Sequence, residues 1–198
     1  MHLPLYWLRK KKQNSANNMD ASSRILIANN DEGALFSIAS LLESEGYQCT
    51  TVHNSLEAIK ALQVNEYDLL IAEINMPGNE ELELVQAMER YVPGLPVIIY
   101  TGHPTLRSAI TSIQLPVVAY LIKPLQPEVL LHHVMTSIAK YQASKREEEL
   151  LQQTIVYAWA IEETILVLES TRSSFKSKKL AVLRQQLERI LNRRQFDK

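Results

Sequence analysis

The residues best placed to do chemistry stand singly at the ends of short apolar runs. YDLLIAEINMPG, residues 67 to 78, stops at one acid, Glu73, and a turn signal follows. PVIIYTG closes on Thr101, AYLIKP on Lys123 and Pro124, and ILIANNDE on Asn29, Asn30, Asp31 and Glu32. In an open parallel sheet, ligands and reacting groups collect outside the carboxyl ends of the strands, where the strand order reverses. If these runs are strands of one sheet, a carboxylate, a hydroxyl and an ammonium converge in one crevice beside the amides and acids of the first run. None is a motif alone; four strand ends together are the signal.

The elements that must hold them can be read from periodicity. The runs ILIA (25–28), YQCTTV (47–52), LLIAEI (69–74), LPVIIY (95–100) and VVAYLI (117–122) are mostly apolar at consecutive positions. That is the pattern of strands covered on both faces by helices, hence of a parallel sheet. Between them lie helical segments. EGALFSIASLLESEG carries Leu35, Ile38, Leu41 and Leu42 and stops at Gly46; SLEAIKALQ opens on Ser55 as N-cap with Ala58, Ile59 and Leu62 on one face. NEELELVQAMERY follows Pro77-Gly78, and PTLRSAITSI and PEVLLHHVMTSIAKY each begin with Pro, which suits a first helical turn. Five strands alternating with five helices predict an α/β fold, a (βα)5 doubly wound five-stranded parallel sheet over residues 24–140.

From Lys140 the period changes and no strand signal returns. Leu151, Thr154, Ala158, Ile161, Ile165 and Leu168 form a heptad-like seam, and after STRSS the spacing repeats at Leu180, Leu183, Leu187 and Ile190. Residues 141–198 are expected to form a helical extension, either a hairpin or a helix pair that dimerises.

ILIANNDE, YDLLIAEINMPG, PVIIYTG and AYLIKP, in this order and spacing, resemble the receiver domain of bacterial two-component response regulators over about residues 24–140. In that family an acidic pair after the first strand binds Mg²⁺, and an Asp after the third takes a phosphoryl group from a histidine kinase. A Thr and a Lys read the phosphoryl oxygens, and an aromatic residue of the fifth strand changes rotamer as the switch. The resemblance puts the phospho-acceptor position on Glu73, the acidic pair on Asn29 and Asn30, the phosphoryl readers on Thr101 and Lys123, the switch aromatic on Tyr120 and the metal-ligating carbonyl on Asn75. The usual dimer surface of the family would involve residues 104–140. Pro116 stands where the family usually has Gly, so the loop at 113–117 is expected to differ.

The Thr, the Lys and the aromatic are kept; the acceptor and both acids are not. Magnesium wants charged oxygen ligands in octahedral array, and two amides for two carboxylates remove two negative charges. Asp31 and Glu32 lie one and two residues too far along. Only weak Mg²⁺ binding, at Asp31, Glu73 and Asn75, is left open. The extra methylene of Glu73 displaces its carboxylate by about 1 Å, a misplacement that can cost ~100-fold where chemistry depends on positioning. Two readings of Glu73 stand: a structural ion pair with Lys123, or a built-in mimic of the phosphorylated group that also engages Thr101. Tyr120 is either the switch or an ordinary strand aromatic.

Bulk composition is that of an ordinary soluble globular protein. The 198 residues are 46% hydrophobic and 22% charged, enough for one domain and an appendage. One cysteine, Cys49, allows no internal disulfide and suits a reducing cytoplasm; it reads as a buried strand residue. No zinc-ligand spacing occurs; His103 reads as a solvated loop residue, and the adjacent His132 and His133 point different ways along a helix. No apolar stretch approaches the ~20 residues of a membrane span. The opening MHLPLYWLRKKKQNSANN has its charges after the apolar part, unlike a secretory signal, so residues 1–23 read as a disordered leader with Met19 an alternative start.

Charge is strongly segregated: +3 over residues 1–23, −8 over 24–139, −3 over 140–169 and +7 over 170–198. Arg172, Lys176, Lys178, Lys179, Arg184, Arg189, Arg193 and Arg194 could follow a nucleic acid backbone, but no helix-turn-helix pattern accompanies them, and an acidic surface is an equal partner for them. The favoured expectation is a non-enzymatic, atypical response regulator receiver without cofactor. It would act through a protein partner, a signalling protein or sensor kinase, and the helical extension would serve dimerisation or output. A phosphorelay regulator still modified at Glu73, and a nucleic-acid-binding regulator, are the alternatives.

Overall fold

The structure, a computed structural model, describes residues 22–170 and 178–193, without the side chains of 178, 179 and 190–193. Residues 1–21 of the expected leader, Arg172, Lys176 and Arg194 lie outside the described residues, as does the side chain of Ile190. The elements are β1 (Arg24–Ala28), α1 (Glu32–Ser44), β2 (Gln48–Val52), α2 (Ser55–Val64), β3 (Leu69–Ala72), α3 (Glu83–Met88), β4 (Val97–Thr101), α4 (Leu106–Ser112), β5 (Val117–Ile122), α5 (Pro127–Ser170) and α6 (Lys178–Arg193). The five strands form one parallel sheet in the order β2-β1-β3-β4-β5. The doubly wound α/β architecture expected from the consecutive apolar runs is the one observed.

Period-2 alternation sorts each central strand between two layers. Leu26, Ala28, Leu70, Ala72, Val97 and Ile99 pack with Ala58 and Leu62 of α2 and with Leu84, Val85 and Met88 of α3. Ile25, Ile27, Leu69, Ile71 and Ile98 pack with Leu35, Ile38 and Leu42 of α1 and with Leu130, Val134 and Ile138 of α5. Each fully buried Leu or Ile contributes about 1.5–3 kcal/mol of hydrophobic stabilisation. These two layers hold the strand ends in register.

Several local expectations are corrected. The N-cap of α2 is Asn54, whose side chain accepts from Glu57 N–H; Ser55 instead donates from Oγ to the Gly78 carbonyl at 2.6 Å. The segment from residue 79 does not enter its helix at once. Leu82 adopts φ 65°, and α3 begins only at Glu83. The helix expected to begin at Pro104 begins at Leu106, with Thr105 as the N-cap of α4 in a reciprocal capping box with Ser108. The buried residues of α4 are Ser108 and Ser112, while Leu106 and Ile110 face outward, so apolar contact is not what seats this helix. Cys49 is half-buried, because β2 is an edge strand. Burial pushes its thiol up to about 11, with the Glu43 charge adding to the effect.

The change of period at Lys140 does not start a new element: α5 runs unbroken for 44 residues. The chain divides into two compact units, Met1–Gln142 and Ala143–Lys198. In the first, Gln142 Nε2 donates to Ser23 Oγ and Asp68 Oδ1 at the amino end of the sheet. In the second, Thr154, Ala158, Ile161, Ile165 and Leu168 of the seam are half-buried, as are Leu180 and Leu187; Leu151 and Leu183 are exposed.

Gly78 and Gly94 both have positive φ, 82° and 75°, but a Cβ on Gly78 would meet Ser55 Cβ at 3.0 Å whereas one on Gly94 meets nothing within 4 Å. Gly94→Ala is expected to cost about 1 kcal/mol from backbone strain alone. Gly78→Ala should cost about 1 kcal/mol more, from crowding against α2. Urea denaturation of the two variants measures the difference, and equal costs would remove the steric argument.

Candidate functional site

The site is built where β1, β3, β4 and β5 stop. Glu73 follows the last residue of β3, and its N–H still reaches the Ala28 carbonyl at 2.9 Å, continuing the ladder. Thr101 ends β4 and is fully buried; Lys123 follows β5, its N–H donating to the Thr101 carbonyl at 2.8 Å. Backbone pairing therefore fixes the root of all three side chains.

Their tips meet. Glu73 Oε1 accepts from the Thr101 hydroxyl in a short hydrogen bond, from Ile74 N–H at 2.8 Å and from Asn75 N–H at 3.2 Å. Its Oε2 accepts from Lys123 Nζ at 2.8 Å and Gly102 N–H at 3.3 Å. A carboxylate offers about four lone-pair sites, so these five donors saturate it. Burial pushes the Glu73 carboxyl up, but the bonds from Lys123 and Thr101, the Lys123 charge and the Asn75 N–H outweigh it and hold the group below the usual carboxylate range. Lys123 also lies over the Tyr100 ring, 5.1 Å from its centroid.

The rest of the first-strand set does not join them. Asn29 is buried, and its Oδ1 accepts from Asp31 N–H at 3.0 Å. Asn30 is exposed, Asp31 is spent capping α1 through Ala34 N–H, and Glu32 is exposed in the first turn of that helix. Asn75 is exposed. A magnesium ion of the family's kind does not fit this donor set, since the Glu73 oxygens are occupied and the Asn29 oxygen already has a donor. No group of three His, Cys, Asp or Glu able to hold a metal occurs among the described residues.

Tyr120 packs half-buried against the layer under α2 and α3, and its hydroxyl shares a 2.7 Å hydrogen bond with Ser108 of α4. His103 is exposed, and its N–H donates to Thr101 Oγ1 at 3.0 Å. His132 and His133 make only an edge-on ring contact with each other, centroids 5.9 Å apart.

Sequence reading missed Asn79. This fully buried side chain donates from Nδ2 to the Glu73 carbonyl at 2.8 Å and accepts at Oδ1 from Leu84 N–H at 3.1 Å. It holds the loop after Glu73 and satisfies a free N–H in the first turn of α3, a task Leu82 cannot perform as N-cap. A polar residue just after Pro77-Gly78 was its one sequence signal.

A family model described as the response regulator receiver domain matches residues 25–135. The chain belongs to this family. Relatives of the receiver include the transcriptional regulatory protein GlrR of Escherichia coli (strain K12), 27% identical over 134 residues, which are 68% of this chain and 30% of that protein. The DNA-binding transcriptional regulator NtrC of the same organism is 30% identical over 122 residues, 62% of this chain and 26% of that protein. The chain thus spans under a third of the curated relatives it matches. The CheY-like receiver domain protein from Methanospirillum hungatei JF-1 superposes with a TM-score of 0.59 at 25% identity, covering 63% of this chain and 99% of that one. The beryllofluoride-activated NtrC4 receiver domain dimer gives 0.56 at 24% identity, covering 60% and 98%, a likeness of fold. No helix among the described residues is long and apolar enough to cross a membrane.

The depressed Glu73 carboxyl of this receiver makes stability depend on pH. A folded pKa below the unfolded value of ~4.3 means that the charge stabilises the fold above that pH and ceases to do so as pH falls through the folded pKa. Near neutrality Glu73→Gln should cost about 2–3 kcal/mol, below the range for a fully buried pair because the Lys123 side chain is 24% exposed against 6% for Glu73. The gap between wild type and variant should begin to narrow below about pH 4.3 and close as pH falls through the folded pKa. Denaturant titrations across that range check it, and a constant gap would show that the charge is not its source.

Proposed function

We propose that this receiver signals by protein contact without being phosphorylated, with the Glu73 carboxylate standing where phosphoryl oxygens stand in the family. The observation that carries the reading is the saturation of that carboxylate by Thr101, Lys123 and three backbone N–H groups. The residues that would read a phosphoryl group are already engaged with an anion supplied by the chain itself. Tyr120, held inward by Ser108, is consistent with one fixed arrangement of the fifth strand.

Phosphoryl transfer rests on positioning and charge neutralisation. An acceptor oxygen with its lone pairs occupied and no fitting metal site supplies neither. Receiver relatives bear names of transcriptional regulators, which supports a reading in which the output of this chain is protein-mediated control in a bacterial cytoplasm, with a signalling protein or sensor kinase as partner. The helical region beyond Gln142 serves dimerisation or output. The receiver carries no catalytic step of its own in this reading.

Intact mass after incubation with acetyl phosphate and Mg²⁺ tests the proposal, with Glu73→Asp and Glu73→Gln alongside. Wild type is expected to gain no phosphoryl group and to show no Mg²⁺-dependent change in fluorescence. A gain of one phosphoryl group by wild type that Glu73→Gln lacks would instead establish a phospho-regulated receiver modified at Glu73.

A further inference from the structure

The second compact unit presents an apolar surface that it does not itself bury. Among the described residues of Ala143–Lys198 none is buried, and the seam on α5 reaches only half-burial. Helices in proteins draw most of their stability from burying an amphipathic face. Beside the seam, sharing Leu151 with it, runs a second line on α5, Leu151, Ile155, Trp159 and Leu166, exposed by 58, 53, 64 and 66%. Val182 and Leu183 of α6 are exposed by 53 and 42%. At on the order of 100 Å² each, these six side chains offer ~600 Å². That is the upper end of the largest patch on a typical monomer, and approaches the ~800 Å² per partner of a stable interface.

Charge says what covers it. By sequence, α5 carries Glu147, Glu148, Glu149, Glu162, Glu163 and Glu169 in this unit, against Lys145 and Arg146. The other helix, α6, carries Lys178, Lys179, Arg184, Arg189 and Arg193 against Glu188. A twofold arrangement that sets α6 of one copy on α5 of another meets base with acid, and symmetry repeats the match. We infer that a second copy of this chain occupies the face, its α6 lying along the line Leu151, Ile155, Trp159 and Leu166 to close a four-helix bundle. The inference rests on, and makes specific, the reading of this region as the dimerising element.

Light scattering of the full chain at tens of micromolar tests it. Wild type should have twice the chain mass. Trp159→Glu should restore the monomer mass, raising the dissociation constant at least ~100-fold, with the thermal transition of the receiver unchanged. Ile110→Glu, on the outward face of α4, should remain dimeric. In a Trp7→Phe background, which leaves Trp159 as the one tryptophan, emission should move to shorter wavelength as concentration rises through the dimerisation range. A wild type that is monomeric throughout, or a dimer that survives Trp159→Glu, would overturn the inference; loss of the dimer in Ile110→Glu alone would place the interface on the receiver. The test is separable from the phosphorylation question, because phosphoryl uptake at Glu73 would change the proposed function and leave these masses as they are.

Discussion

A carboxylate stripped of water at the centre of a crevice has to be fully partnered, and this requirement on Glu73 organises the receiver. An unpaired buried charge costs several kcal/mol. Its partners come from three strands, so the neutralised cluster exists only when β3, β4 and β5 are in register and Thr101 and Lys123 are delivered to the same point. The two hydrophobic layers provide that register without regard to the site. The site in turn adds bonds between strand ends that burial has already aligned.

From this cluster, polar contacts lead outward into α4. Thr101 accepts from His103 N–H, Thr105 caps the helix through Ser108, and Ser108 reaches Tyr120 in β5. The helix is seated by hydroxyl contacts while its large apolar residues look away from the sheet. Hydroxyl contacts are directional and individually modest, about 1 kcal/mol each. This makes α4 the helix of the receiver most dependent on the arrangement of the strand ends beside it.

What could be read from residue order alone follows the range of the interaction involved. Consecutive apolar runs such as ILIA and LLIA report burial on both faces, a property of the local sequence, and they identified the parallel sheet. Strand ends then named Glu73, Thr101 and Lys123, because topology forces them together. Tasks shared among adjacent polar residues were not legible. Asn54 and Ser55 are both good caps, and the carbonyl of Gly78, distant in sequence, decides between them. The delayed start of α3 depends on Asn79 bridging Glu73 and Leu84, which no periodicity encodes. The period change at Lys140 was real, but it marks where α5 changes neighbours, since 143–170 belong to the second unit; helical hydrogen bonding continues through it.

Asn79 also bears on how the receiver opens. One amide group holds the carbonyl of the site residue and the first turn of α3, and both bonds are buried. Neither the loop nor the helix start can expose its backbone amides to exchange while the other stays closed, because releasing that side chain frees both. In hydrogen exchange the amide of Leu84 and those of Ile74 and Asn75 in the loop after Glu73 would then share one opening free energy, a cooperative unit that joins a functional loop to the core. The slowest fluctuation of the crevice would be set by helix α3, on a face of the sheet that no ligand needs to touch.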